Sequence, residues 1–118
     1  MNIIEYQIEA LRTETGMNKD PSILTTEEFR LLNGLAGLCG EAGEAMDIFK
    51  KHIFQGHELD VEHLALELGD VAWYLAVAAD ALGYDLEKIL VMNRAKLRAR
   101  YPDGFDPEKS KHRKGGDI

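Results

Sequence analysis

The sequence predicts an all-α fold, a four-helix-bundle-like unit of antiparallel helices joined by short links. Apolar residues recur at spacings of three and four along most of the chain, and helix-capping and helix-breaking residues stand at the gaps. No strand-like alternation runs for more than a few residues. The length of 118 residues suits one domain, which we expect to span residues 1–105 and to be followed by a polar, basic, mobile tail at 106–118.

The first two predicted helices differ in length. Apolar residues at positions 4, 8 and 11 predict a first helix over about 3–14, followed by a loop at 15–24. A longer helix is predicted from Thr25 to about Phe54, because Thr25 and Glu28 have the spacing of a capping box and Gly56 is typical of a helix end. This helix contains glycine at 34, 37, 40 and 43, although each glycine inside a helix costs about 1 kcal/mol relative to alanine.

The third predicted helix has the most regular apolar pattern. Asp60 is its predicted N-cap and Gly83 its predicted end, which gives a helix over about 61–82. A fourth helix is predicted over 86–100, capped by Asp85 and ended by Pro102. Because the chain is short and the third helix offers a continuous apolar seam, we expect a homodimer or a dimer of dimers. The seam consists of Val61, Leu64, Leu68, Val71, Leu75, Ala78 and Leu82.

Composition argues against several classes of protein. The net charge of −7 and the pI of about 5.0 argue against a general nucleic-acid binder and against binding to an anionic membrane. Cys39 is the one cysteine, so the chain contains neither an internal disulfide nor a cysteine-rich zinc motif. The N-terminal segment has no signal-peptide pattern and no segment is apolar for 18 residues, so we expect a cytoplasmic protein.

Two pairs of acids occupy unusual positions. Glu41 and Glu44 lie one turn apart on the second helix, and Glu67 and Asp70 lie one turn apart on the third. At about 100° per residue, the second pair falls between two apolar sectors, where neighbouring carboxylates repel each other and lose hydration unless a cation is present. The glycines lie largely on the side of the first pair, which leaves room for another helix or a ligand. Carboxylate oxygens favour Mg²⁺ or Mn²⁺.

Three segments carry a resemblance to a known family. GEAGEAMDIFKK (40–51), ELGDVAWYL (67–75) and NRAKLRARYPDGF (93–105) resemble the MazG-like nucleotide pyrophosphohydrolases of the all-α NTP pyrophosphatase superfamily. The likeness runs over about residues 5–105. It implies hydrolysis of a nucleoside triphosphate between the α and β phosphates, giving a monophosphate and pyrophosphate. It also implies that Mg²⁺ is bound by four acids that act in catalysis: Glu41, Glu44, Glu67 and Asp70.

The resemblance further implies residues that contact the nucleotide. On the fourth helix, basic side chains would bind phosphates and an asparagine would contact the sugar or base. A basic pair at the end of the second helix matches a pair in the family. Helix spacing, and not the resemblance, places a tyrosine one turn after Asp70 on the same face, where it could stack on the base or hydrogen-bond near the phosphates. For the basic residues, a solvated helix end is the alternative interpretation. The predicted substrate-binding residues are Lys50, Lys51, Tyr74, Asn93, Lys96 and Arg100. The four histidines (His52, His57, His63 and His112) show no ligand spacing and are interpreted as structural or surface residues.

Other interpretations remain open. Gly40 stands where many family members have a third acid, which bears on how many metal ions bind. A non-catalytic helical module would account for the apolar seam but not for acids set among apolar residues. A ferritin-like di-iron site needs Glu-x-x-His twice, and only Asp60 with His63 comes near that pattern. Within the superfamily, dUTPase and phosphoribosyl-ATP pyrophosphohydrolase activities are further alternatives.

Overall fold

The computed structural model describes residues 2–12 and 24–113, and these residues form helices with no strand. The all-α prediction is confirmed. The end of the first predicted helix and nearly all of the predicted loop at 15–24 lie outside the described residues. A short helix lies within the segment predicted to be a polar tail. The helices are α1 (Ile3–Arg12), α2 (Thr26–Gln55), α3 (Val61–Ala81), α4 (Leu86–Arg100) and α5 (Pro107–Lys111).

The ends of α2 and α3 follow the capping chemistry of the sequence. Both hydrogen bonds of the capping box between Thr25 and Glu28 are present at the start of α2. Gly56 ends α2 with φ of 71°, in the left-handed region that glycine adopts most readily. The Asp60 side chain accepts a hydrogen bond from the His63 backbone N–H and so caps α3. Asp85 is the N-cap of α4, as predicted, in an extended conformation and without a side-chain capping hydrogen bond.

The principal packing unit is an antiparallel pair formed by α2 and α3. Residues of the two helices face each other in register, so that Gly34 lies against Ala78 and Gly37 lies against Tyr74. The Arg30 guanidinium closes one end of the pair with an ion pair to Asp80 at 2.5 Å. In the described part of the chain α4 packs less extensively, against α3.

A single protomer leaves much of its apolar surface exposed. Among the described residues, the buried apolar side chains are those of Ala45, Ala78 and Ala79. The seam of α3 is only partly covered, since Leu68 remains 58% exposed. The radius of gyration of 19.9 Å exceeds the value of about 13 Å for a compact domain of 100 residues. No described helix combines the length and apolar character needed to cross a bilayer.

Candidate metal centre

Three carboxylates meet between the two long helices. Glu41 projects from α2, and Glu67 and Asp70 project from successive turns of α3. One oxygen from each carboxylate can be chosen such that all three lie within 4.8 Å of one another. We call Glu41, Glu67 and Asp70 the acidic cluster.

Two oxygens of the acidic cluster are removed from solvent without a hydrogen bond. Glu67 is 9% exposed, and its Oε2 is buried with no hydrogen-bond partner among the described residues. Oε2 of Glu41 is in the same situation. Asp70 is exposed, so the sequence-based expectation of a desolvated carboxylate holds for Glu67 but is wrong for Asp70 in a single protomer. A buried carboxylate oxygen without a donor is costly, which means that a cation at this position would be strongly favoured.

The neighbouring acids hold the pKa of Glu41 at about 7, against an ordinary value of 4.5. The main cause is the nearby Glu67 carboxylate, which can accept a hydrogen bond from Glu41 only when Glu41 is protonated; with both carboxylates ionised, neither buried oxygen has a donor. Partial desolvation adds to the shift, followed by the negative charges of Glu44, Glu67 and Asp70. The local field therefore opposes a further negative charge and favours either a proton or a metal cation.

The acidic cluster fits a hard divalent cation. Its donors are carboxylate oxygens, and two of them are already stripped of water and of protein donors. Oxygen donors of this kind suit Mg²⁺ or Mn²⁺ rather than soft metals that prefer thiolates. Glu41, Glu67 and Asp70 would hold the ion. Gly40, the residue before Glu41 on α2, has nothing within 4 Å of a Cβ placed there.

Glu44 is not brought into the acidic cluster. Its side chain is exposed, and none of its oxygens belongs to the group within 4.8 Å. It nevertheless lies near enough for its negative charge to raise the pKa of Glu41. In this structure the influence of Glu44 on the cluster is electrostatic, and its role as a metal ligand stays a prediction.

The structure gives Tyr74 a packing role beside the acidic cluster. Its ring lies over Gly37, one turn before Glu41 on α2, and Trp73 meets it edge-on with ring centroids 4.9 Å apart. Tyr74 is half-buried, whereas Trp73 is 57% exposed. The predicted contact of Tyr74 with a nucleotide stays a prediction.

The basic residues predicted to bind phosphate lie on two different helices. Lys51 pairs with Asp47 at 2.7 Å and Lys50 pairs with the same carboxylate at 3.7 Å. The hydrogen bond from Lys51 is the main reason that the pKa of Asp47 lies below its usual value. Both lysines are therefore held by a neighbouring acid in the protomer, and a phosphate would have to compete with Asp47 for them.

The remaining predicted nucleotide contacts lie on α4, which packs against α3. Asn93 and Lys96 are exposed. Arg100 is half-buried at the end of α4, with its guanidinium carbon 6.0 Å from the centroid of the Tyr101 ring. No described contact joins Asn93 or Lys96 to the acidic cluster within the protomer, and the nucleotide contacts of all three residues stay predictions.

One contact at the edge of the acidic cluster is not anticipated by the sequence analysis. His63, which is exposed as expected for a surface residue, has its Nε2 3.1 Å from Oε1 of Glu67. The signal was present in the sequence, because residues four apart on a helix lie next to each other and a histidine four residues before an acid can reach it. His52, by contrast, contacts the backbone oxygen of His57 at the end of α2, at 2.7 Å.

Comparison with known families identifies a domain that includes most of the described helices. The MazG nucleotide pyrophosphohydrolase domain matches residues 29–105, about two thirds of the chain. The matched region begins in α2, includes the acidic cluster and extends beyond α4 to Phe105. Searches of curated proteins and of solved structures gave no match. The extent of the family match, with the acidic cluster inside it, shows that the chain belongs to the MazG nucleotide pyrophosphohydrolase family.

Proposed function

We propose that the protein is a Mg²⁺-dependent pyrophosphohydrolase of nucleoside triphosphates. It would add water across the α–β phosphoanhydride bond of an NTP or dNTP and release a nucleoside monophosphate and pyrophosphate. The observation that carries the proposal is the acidic cluster, with its two buried and unpartnered oxygens on facing helices of a MazG domain. Mn²⁺ is the alternative metal.

The chain's own residues would perform three tasks. Glu41, Glu67 and Asp70 hold the ion, with Glu44 as the fourth acid of the centre. The bound ion supplies charge neutralisation of the polyphosphate and a lower pKa for an attacking water. Lys50, Lys51, Lys96 and Arg100 are proposed to bind phosphate oxygens, and Asn93 and Tyr74 to contact the nucleoside.

The net charge of −7 makes local positive charge necessary for binding a polyphosphate. The metal and the lysines of α2 and α4 are the sources of that charge in this proposal. We assign this activity to residues 1–105, which contain the whole family match, and treat 106–118 as an appended segment. Removal of unwanted nucleotides in the cytoplasm is the proposed cellular role.

We also propose that the active form is a homodimer or a dimer of dimers. Large apolar residues are exposed along both long helices, among them Leu32 on α2 and Leu66, Leu68 and Trp73 on α3. A second copy offers a matching apolar surface by symmetry and could bring its own α4 beside the acidic cluster. Light scattering after gel filtration tests this directly, because a mass of 13.2 kDa at micromolar concentration would contradict it.

A product-release assay tests the proposed activity. The protein is incubated with a panel of canonical and modified NTPs and dNTPs, in Mg²⁺ or in EDTA, and the products are separated by chromatography. We expect a monophosphate and pyrophosphate in equal amounts, only with metal present. Preference for dUTP or phosphoribosyl-ATP would assign one of the superfamily alternatives, whereas nucleotide binding without turnover would favour the non-catalytic module.

A further inference from the structure

We infer that His63 is a positioning residue for the metal centre, holding one oxygen of Glu67 so that the other is available to the cation. The inference rests on the proposed function in so far as Glu67 is taken to be a metal ligand. His63 is not one of the four acids. Its contact with Glu67, and the surroundings of that contact, carry the inference.

The contact is fixed by the way α3 begins. The backbone N–H of His63 donates to Oδ1 of Asp60 at 2.9 Å, which places His63 in the first turn of the helix. One turn later comes Glu67, and the two side chains meet with 3.1 Å between Nε2 and Oε1. Nε2 donates to this oxygen whenever it carries a proton, as it does in one neutral tautomer and in the imidazolium.

The two oxygens of Glu67 are thereby given different surroundings. Oε1 faces an N–H donor, whereas Oε2 is buried and has no hydrogen-bond partner among the described residues. A carboxylate with one oxygen held by a protein donor has fewer rotamers available. Such a side chain therefore loses less conformational entropy when it binds a metal ion. Glu67 is the most buried ligand of the acidic cluster, so its orientation bears most directly on the geometry offered to the ion.

His63 itself lies at the edge of the site and not inside it. Its side chain is 54% exposed and also lines a cavity of about 240 Å³ between the end of α2 and the start of α3. His57, Asp60 and Lys51 lie along the same cavity. The ring therefore contacts solvent on one side and Glu67 on the other, which suits a residue that supports a ligand without binding the metal.

The test is metal affinity at a single fixed pH. Mn²⁺ binding to the full chain is measured by calorimetry and by the electron paramagnetic resonance signal of free Mn²⁺. We expect His63→Ala to raise the Kd about tenfold, the low end of the effect of losing a ligand's hydrogen-bond partner. His63→Gln, whose amide N–H can reach the same oxygen, should stay within about threefold of wild type. The matched control is His57→Ala, which removes a ring from the same cavity and should leave the Kd unchanged.

A merely structural role for His63 would give a different pattern. In that case His63→Ala would lower the melting temperature of the metal-free protein, while its Kd for Mn²⁺ would equal that of wild type. This result overturns the inference. An equal rise in Kd for His57→Ala overturns it as well. In the activity assay, positioning predicts that His63→Ala needs about tenfold more Mg²⁺ for half-maximal turnover and regains kcat at saturating Mg²⁺.

Failure of this inference can be separated from failure of the proposed function. A wild-type protein that binds Mn²⁺ but cleaves no nucleotide contradicts the proposed function, while the Kd comparison still decides the role of His63. A wild-type protein that cleaves nucleotides, with His63→Ala unchanged in Kd and in Mg²⁺ requirement, contradicts only the role of His63.

Discussion

Gly34 on α2 lies so close to Ala78 on α3 that a Cβ atom at residue 34 would come within 2.9 Å of both the Ala78 Cβ and its backbone nitrogen. Gly37, one turn later, lies beneath the ring of Tyr74 in the same way. These two glycines allow the close approach of α2 and α3 that brings the acidic cluster together. Gly40 and Gly43 have open space around the position of a Cβ, so the approach of α3 does not require glycine at these two positions.

Alanine substitutions at Gly34 and at Gly43 should change the free energy of unfolding in opposite directions. Gly34→Ala introduces a contact with backbone atoms of α3 that cannot move aside cheaply, and we expect it to lower the free energy of unfolding by about 1–3 kcal/mol. Gly43→Ala, the control, adds a helix-favouring residue in open space and should raise it by about 0.5–1 kcal/mol. Urea denaturation monitored by circular dichroism measures both, and equal midpoints for the two variants would contradict the packing described for Gly34.

Neutralising the site acids should separate activity from stability. Glu44→Gln and Asp70→Asn each keep the shape of the side chain but remove its charge, and we expect turnover to fall below about 1% of wild type because the transition state loses electrostatic support. The fold should survive, as judged by an unchanged helical signal. Glu62→Gln on the exposed face of α3 is the control and should retain full activity. Wild-type turnover in either site variant would show that the acid has been assigned wrongly.

The raised pKa of Glu41 predicts the pH dependence of stability without metal. The folded chain holds the Glu41 proton up to about pH 7, whereas the unfolded chain releases it near pH 4.5. Between these values the folded state binds more protons, so this group makes the protein progressively less stable as the pH rises from about 4.5 through about 7.

Thermal unfolding in EDTA from pH 5 to pH 8 measures this effect. Other groups titrate over the same range, so the informative quantity is the difference between wild type and Glu41→Gln. The variant carries a neutral amide at every pH. Its melting temperature should therefore fall less than that of wild type between pH 5 and pH 8. Parallel curves for the two proteins would show that the pKa of Glu41 is not raised.

Metal should stabilise the folded chain at pH 8, where the acidic cluster is most negatively charged. At a Mg²⁺ concentration about 100 times the Kd, linkage predicts a gain of about 2.7 kcal/mol in the free energy of unfolding. EDTA should reverse the gain. Glu67→Gln should show little of it, since it removes the charge of the most buried ligand. Differential scanning calorimetry at several Mg²⁺ concentrations provides the measurement, and an equal gain in Glu67→Gln would place the ion elsewhere.

The exposed seam of α3 predicts how the assembly can be disrupted. Leu68→Lys places a charge on an apolar seam position that is 58% exposed in the protomer, and we expect it to shift the protein toward monomer at micromolar concentration. Ala72→Lys, on an exposed position of the same helix outside the seam, should leave the oligomer intact. Light scattering distinguishes the two variants. Identical masses for both would mean that Leu68 is not part of an interface.

Helix boundaries could be predicted from the sequence because they depend on local chemistry. The Thr25 capping box, the Asp60 cap and Gly56 each act within a few residues of their own position. The third predicted helix differs from α3 by one residue at its end. Asp85 likewise precedes α4 as its N-cap, with an extended backbone and no side-chain hydrogen bond.

The acidic cluster was predicted only in part, because it depends on contacts between helices. Spacing indicated which acids share a helix face, but not that Glu67 would be buried while Asp70 stays exposed. The contact of His63 with Glu67 follows from helix geometry, but one pair at a spacing of four residues is not by itself a metal-ligand pattern and so does not mark a site in the sequence.

The all-α class, the helices with their caps, and the pairing of acids at spacings of three follow from the helical period and from residues close in the chain. Packing between helices, in contrast, gives Gly34 and Gly37 their part in the approach of α3, and brings Glu41 to Glu67 and Asp70 while Glu44 remains outside. These outcomes depend on the register and separation of two antiparallel helices. Side-chain volumes at the crossing set both quantities, and no local pattern records them.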